Sequence, residues 1–251
     1  MSSAAPAPDS PPLCVVDDAS FWAWNSWAKF EAWPDKDNTV VVIPVAGMAD
    51  WGLGHPLDVE ETVLTHVLKD ACQRTPEGRR PLVVPPLRFV FGADKSCAFP
   101  VDQPTALALI AEVANSVAAA GFRRIVVMNS SPWNEEVCGA ATRDLRVFRS
   151  LHMFQMHLSA IDLDFHPIRS RSRRRLQTLA TYLLGAEPEK LETSTFVPTW
   201  GEETVTTLAG PAVTLVDALV EGPAILAGAG ARVAKLLADI RERAPLTHKT
   251  P

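Results

Sequence analysis

At 251 residues, 47% of them hydrophobic, the chain is long enough to bury a full core as one large domain or two small ones. A net charge of −5 and a pI of about 5.7 exclude a general nucleic-acid binder. No apolar run approaches the ~20 residues that a membrane-spanning helix needs.

The first 18 residues are rich in Pro, Ser and Ala and lack the basic and apolar segments of a signal peptide, so a disordered tail is expected there. A single domain is expected over 19–245, with a second short tail over 246–251. Ser20–Trp33 carries four tryptophans, and Phe21, Trp24, Trp27 and Phe30 recur at three-residue spacing, which predicts a short amphipathic helix. Thr39–Val45 is a β-branched run of the kind found in strands covered on both faces. Glu60–Arg74 reads as a helix with an apolar stripe at Val63, Leu64, Val67, Leu68 and Ala71, and with His66 on its surface beside the stripe. Pro81–Leu87 reads as a second strand. Asp102 is placed to cap a helix that has Pro104 in its first turn and stops at Gly121.

Arg123–Asn129 is a third buried strand, Asn134–Ser150 a helix, and Met153–Phe165 contains a further strand. Arg171–Leu184 is expected to be helical, Thr195–Leu208 is rich in Thr and Val, and a long helix is expected over Ala224–Arg243. Strands alternating with helices imply βαβ crossovers and a three-layer α/β/α sandwich around a mainly parallel sheet. In such sheets ligands bind beyond the carboxyl ends of the strands, here the loops after Val45, Leu87 and Asn129.

Those loops carry a family resemblance. "VIPVAGMADWGLGHPLDVE" resembles the creatininase-family motif "viPvGSxEQHGPHLPLxtD". "PPLRFVFGADKSCAFPVD" and "GFRRIVVMNSSPWN" resemble the family's "pPlxyG…FPGT" and "GFrriviNgHgGN", and "GPAILAGAGARVAKLL" its C-terminal "GxpxxAtxexGxxl". The resemblance spans Thr39 to Arg243 and implies a creatininase-like fold. It also implies a chemistry in which two divalent metals activate a water that opens a cyclic amide or similar C–N bond.

Carried over position by position, the ligand set is depleted. The family's glutamate falls on Ala49, its first histidine on Trp51, its aspartate on Glu60, and the histidine of "NgHgGN" on Ser131. Asn129 and Asn134 are kept, with Trp133 between Ser131 and Asn134. The later "HAGexET" motif falls on Ser172–Thr178, with Arg175 and Gln177 in its acidic positions. Alanine offers no donor, indole only an N–H, and a neutral hydroxyl is a weak ligand.

A rebuilt zinc or manganese site would have to use Asp50, His55 and Glu60. The plainer reading makes Asp58 a helix N-cap and Glu60 and Glu61 favourable first-turn acids. On that reading there is no catalytic residue, no metal and no cofactor.

Other candidate chemistry is thin. Cys14, Cys72, Cys97 and Cys138 have no CxxC spacing, and Cys97 reads as a small buried thiol, so reduced cysteines of a cytoplasmic protein are expected. His152 and His157 are five apart on a strand and face opposite sides. "RSRSRRR", Arg169 to Arg175, puts five arginines in seven residues. Arg171, Arg173, Arg174 and Arg175 would clamp a carboxylate or phosphate, or else pair with acids on a neighbouring subunit.

The sequence therefore reads as a divergent creatininase-like protein acting as a non-catalytic subunit or small-anion binder. The alternative is an amidohydrolase with a relocated metal site. A homo-oligomer, or a hetero-oligomer with a related chain, is expected from the Trp-rich segment.

Overall fold

The computed structural model describes residues 19–51, 53–92, 97–166, 173–188, 199–200, 203–204 and 213–244. The tails expected over 1–18 and 246–251, Cys14, Arg169 and Arg171 lie outside the described residues.

In chain order the elements are α1 (Trp27–Glu31), β1 (Val40–Ala46), β2 (Met48–Ala49), α2 (Val59–Arg74), β3 (Leu82–Val83) and β4 (Leu87–Arg88). There follow β5 (Val90–Phe91), β6 (Cys97–Ala98), β7 (Pro100–Val101), α3 (Gln103–Ala119), β8 (Arg124–Asn129) and α4 (Glu135–Phe148). The chain continues with β9 (His152–His157), α5 (Arg173–Leu184), β10 (Thr199–Trp200), β11 (Glu203–Thr204) and α6 (Leu215–Glu242).

The main sheet runs β3-β1-β8-β9, with β4 also beside β1, and every pairing in it is parallel. β1 is buried throughout, because its alternate side chains enter two different cores. Val40 and Val42 join Val126, Met128 and residues of α2, α5 and α6 on one face. Val41, Ile43 and Val45 join Ile125, Val127 and residues of α3 and α4 on the other. These are the three layers expected from the alternation of elements.

Four local expectations are corrected. Ser20–Trp33 is not one helix: a 3-10 turn over Trp22–Trp24 is followed by the short α1. The Asn25 side chain bonds back to the Phe21 carbonyl at 2.9 Å, and Ser26 starts α1 by accepting from Lys29 N at 3.3 Å. Phe30 packs against Trp22 and Phe122, centroids 4.2 and 5.9 Å away, while Trp24 and Trp27 stay exposed at 52% and 67%.

The strand expected over Pro81–Leu87 is split in two, because the prolines between its halves cannot donate to a ladder. Val42 pairs with Val83 and Val45 with Leu87, so this side carries one extra residue, a bulge.

His66 is not on the helix surface. It is buried, its Nδ1 lies 2.7 Å from the Thr62 carbonyl, and burial holds its pKa below the ordinary value.

α6 begins at Leu215, not Ala224, and runs through Pro223. A proline inside a helix costs about 3 kcal/mol. Two features offset that cost. Thr214 Oγ1 caps the helix by accepting from Asp217 N at 3.1 Å, and Ala218, Gly222, Ile225, Ala229 and Val233 bury one face. Gly222 permits the approach to α5: a methyl there would lie 2.4 Å from Tyr182 Cβ.

The Asp102 cap is as expected, its carboxylate accepting from Thr105 N at 2.9 Å. Asp58 sits at the N-cap position of α2 but its side chain makes no capping bond.

Candidate functional site

Three segments meet where the sequence places the site. β1 ends at Ala46 and hands over to Gly47, β8 ends at Asn129 and hands over to Ser130 and Ser131, and α2 brings Glu60 in its first turn. Glu60 is wholly buried. Its carboxylate accepts from Gly47 N at 2.8 Å, from the Trp51 indole N–H at 2.7 Å and from Ser130 Oγ at 3.3 Å. Gly47 must be glycine here, since a methyl on it would lie 2.8 Å from Ser131 Oγ and 2.9 Å from both Glu60 oxygens.

Ser131 Oγ is buried without a hydrogen bond of standard geometry, although its closeness still favours the charged form of Glu60. Burial outweighs all of these donors and pushes the Glu60 pKa up from 4.5 to about 7.

Trp51 is 3% exposed and packs on Phe165, ring centroids 6.1 Å apart. The indole therefore occupies the space beside the one carboxylate retained from the family pattern. Ala49 is buried in β2, opposite Cys97 of β6, and has no polar group to offer.

The two retained asparagines serve the backbone. Asn129 donates to the Ser131 carbonyl at 2.7 Å, and its Oδ1 accepts from Ser131 N at 3.1 Å. Asn134 is fully buried, donates to Phe89 O at 2.8 Å and accepts from Phe91 N at 2.8 Å, tying the second loop to the third. Trp133 packs at the edge of the core that holds Trp51.

His55 Nε2 lies 3.4 Å from Thr181 Oγ1 on α5. Burial lowers its pKa to about 4, against an opposing hydrogen bond to the Gln177 backbone. Asp50 is half-buried with contacts of its own. Among the described residues no group of three or more His, Cys, Asp or Glu is placed to hold a metal ion.

The residues present do not fit a pair of divalent ions. Glu60 is surrounded by N–H and O–H donors, and an indole and a small aliphatic side chain fill two ligand positions.

Of the arginine run, Arg173, Arg174 and Arg175 are among the described residues. Arg173 Nη2 donates to the Trp51 carbonyl at 2.7 Å. Burial lowers its pKa. Arg174 pairs with Glu221 of α6 at 3.0 Å, so its acid comes from the same chain. Arg175 Nε is buried without a hydrogen-bond partner.

Sequence reasoning passed over two participants. Ser130 is a donor to Glu60, and His157 has its Nδ1 3.2 Å from Asn129 Nδ2. The signal for His157 was register: Asn129 and His157 are paired at the carboxyl ends of adjacent parallel strands.

The creatininase family, described as creatinine amidohydrolase, matches residues 24–194. The chain belongs to the creatininase family. A crystal structure of creatinine amidohydrolase (creatininase) is 16% identical, with TM-score 0.62, over 91% of this chain and 100% of that one. The Mn form of a creatininase is 16% identical, TM-score 0.63, over 89% and 99%. A single Trp-to-Phe variant of creatininase is 18% identical, TM-score 0.63, over 89% and 100%. No curated protein matches the chain. At these identities the solved creatininases establish the fold alone. Among the described residues no helix is long and apolar enough to cross a membrane.

The raised pKa of Glu60 gives this creatininase-family chain a testable pH dependence. Below about pH 4.5 the carboxyl is protonated whether the chain is folded or unfolded. Between about 4.5 and 7 the folded chain keeps a proton that the unfolded chain releases. Stability therefore falls as pH rises through that window, by up to about 3 kcal/mol, and the loss is complete above it. Denaturant melts from pH 4 to 8 should show this slope in the parent and a flatter one in Glu60→Gln. The same slope in both proteins would mean that Glu60 does not titrate there.

Proposed function

We propose that this creatininase-family protein has given up the dinuclear metal centre and works as a non-catalytic subunit in a cytoplasmic assembly, of its own copies or with a related chain. The observation that carries this reading is the Trp51–Glu60 hydrogen bond of 2.7 Å. It commits the one retained family carboxylate to an indole that also takes up the adjoining space. Exposed Trp24 and Trp27 support assembly, because an isolated chain would leave both rings in water. A pseudoenzyme of this kind keeps the loop architecture, through Asn129 and Asn134, without the chemistry.

The test is elemental analysis of protein purified without chelator, with sedimentation of the same sample. Well under one equivalent of zinc, manganese or iron per chain is expected, with no rise in melting temperature on adding these metals. Creatinine and simple lactams should not be hydrolysed, and the sedimenting species should be larger than the 27.3 kDa chain. A stoichiometric metal whose removal by chelation abolishes a hydrolase activity would overturn the reading.

A further inference from the structure

At the opposite end of the sheet from Glu60, a cavity of about 370 Å³ is lined by Asp35, Asn38, Arg79, Arg124, Arg241, Glu242, Arg243 and Ala244. Four guanidinium groups face two carboxylates there, a net charge of two positive. The C-terminus of α6 contributes about half a negative charge, too little to cancel that excess.

The four arginines are not equivalent. Arg124, at the start of β8, is 2% exposed. Its guanidinium donates to Asp37 O at 2.9 Å, Ile240 O at 3.0 Å, Arg243 O at 2.6 Å and Asn38 Oδ1 at 3.2 Å. All four acceptors are neutral, so a buried charge stands beside the cavity with no carboxylate bonded to it. Arg241 shares the Asn38 anchor, donating to its carbonyl at 3.2 Å, and pairs with Asp35 at 2.6 Å. Arg243 lies over the Phe154 ring, 6.0 Å from its centroid, and forms no ion pair with a described acid. Arg79 pairs with Glu242 at 3.2 Å, but both side chains are largely exposed, at 64% and 67%. Such a pair is easily exchanged for a better anion.

Buried charges are normally paired. A cavity whose wall contains a buried guanidinium held by neutral acceptors, with two more guanidiniums at its rim, has the chemistry of an oxyanion site. We infer that this cavity binds a phosphate group, free or carried by a small molecule, with Arg79 and Arg243 as its exposed contacts and Arg124 as its fixed charge. The inference is independent of the fate of the metal centre.

The experiment is calorimetric titration of the full chain with inorganic phosphate, in buffers matched to chloride at equal ionic strength. A second arm uses glycerol phosphate. Saturable binding is expected, weakening as salt rises. Arg79→Gln/Arg243→Gln should bind at least about tenfold more weakly. Asp35→Asn removes a competing carboxylate at a left-handed position that asparagine tolerates, and should bind more tightly. Arg174→Gln, at the other end of the fold, should bind as the parent does. Equal affinity in the two arms would identify free phosphate as the ligand, and tighter glycerol phosphate binding a phosphorylated metabolite. Absence of saturable binding by the parent, or parental affinity in both the double variant and Asp35→Asn, would overturn the proposal.

Discussion

Replacing Trp51 with alanine is expected to destabilise the fold by about 3–5 kcal/mol, the usual cost of deleting a large buried aromatic side chain. The indole is 3% exposed, packs on Phe165 and donates to Glu60 at 2.7 Å. Trp51→Phe separates the two contributions. It keeps most of the ring volume and removes the N–H, and should cost about 1–3 kcal/mol. The lost N–H had favoured the charged carboxylate, so the Phe deficit should grow from pH 5 to pH 8, as Glu60 ionises around pH 7. Chemical denaturation at the two pH values reads both effects. A cost below about 1 kcal/mol for Trp51→Ala would mean that the indole is not packed where it stands. A Phe deficit unchanged with pH would mean that Glu60 stays in one protonation state.

Asn134→Ala is expected to cost about 2–5 kcal/mol, because it strands two buried backbone groups at once. Phe89 O loses its donor and Phe91 N its acceptor, each now 2.8 Å from the amide. Asn134→Asp should stay close to the parent at pH values where its carboxyl is protonated, because the acid O–H can donate to Phe89 O while the other oxygen accepts from Phe91 N. It should fall toward the alanine variant when it ionises, because a carboxylate cannot donate to Phe89 O. Thermal melts of the three proteins decide this. A melting temperature for Asn134→Ala within a degree or so of the parent would show that water replaces the amide without loss. Asn134 is retained from the family pattern, and this test separates a structural reason for its retention from a catalytic one.

Several of the residues that carry the family resemblance lie together in the fold. Glu60, Ser131, Asn129 and Trp51 all gather at the carboxyl ends of β1 and β8, where the loop argument placed them. The resemblance did not give the role of Glu60. As a first-turn acid it looked like a helix-dipole partner; in the fold it is a buried acceptor for three donors from three segments. The arginine run was legible as a charge anomaly, but its two readings could not be separated by counting charges. Arg174 finds its acid at Glu221 and Arg173 its acceptor at Trp51 O.

What the sequence determined by itself was element type and burial face. The β-branched run of β1, the stripe of α2 and the Asp102 cap of α3 act over a few residues, and periodicity records them directly. The tertiary structure alone decided the partners. Arg173 reaches Trp51 across 122 residues of sequence and Arg124 reaches Ile240 across 116. α6 continues through Pro223 because the face it buries outweighs the proline's local cost. His66 is buried although its own helix reads as offering it to solvent. Proline apart, local preferences are worth tenths of a kcal/mol to about one, whereas packing and buried hydrogen bonding are worth several, and they act between residues that no local pattern brings together.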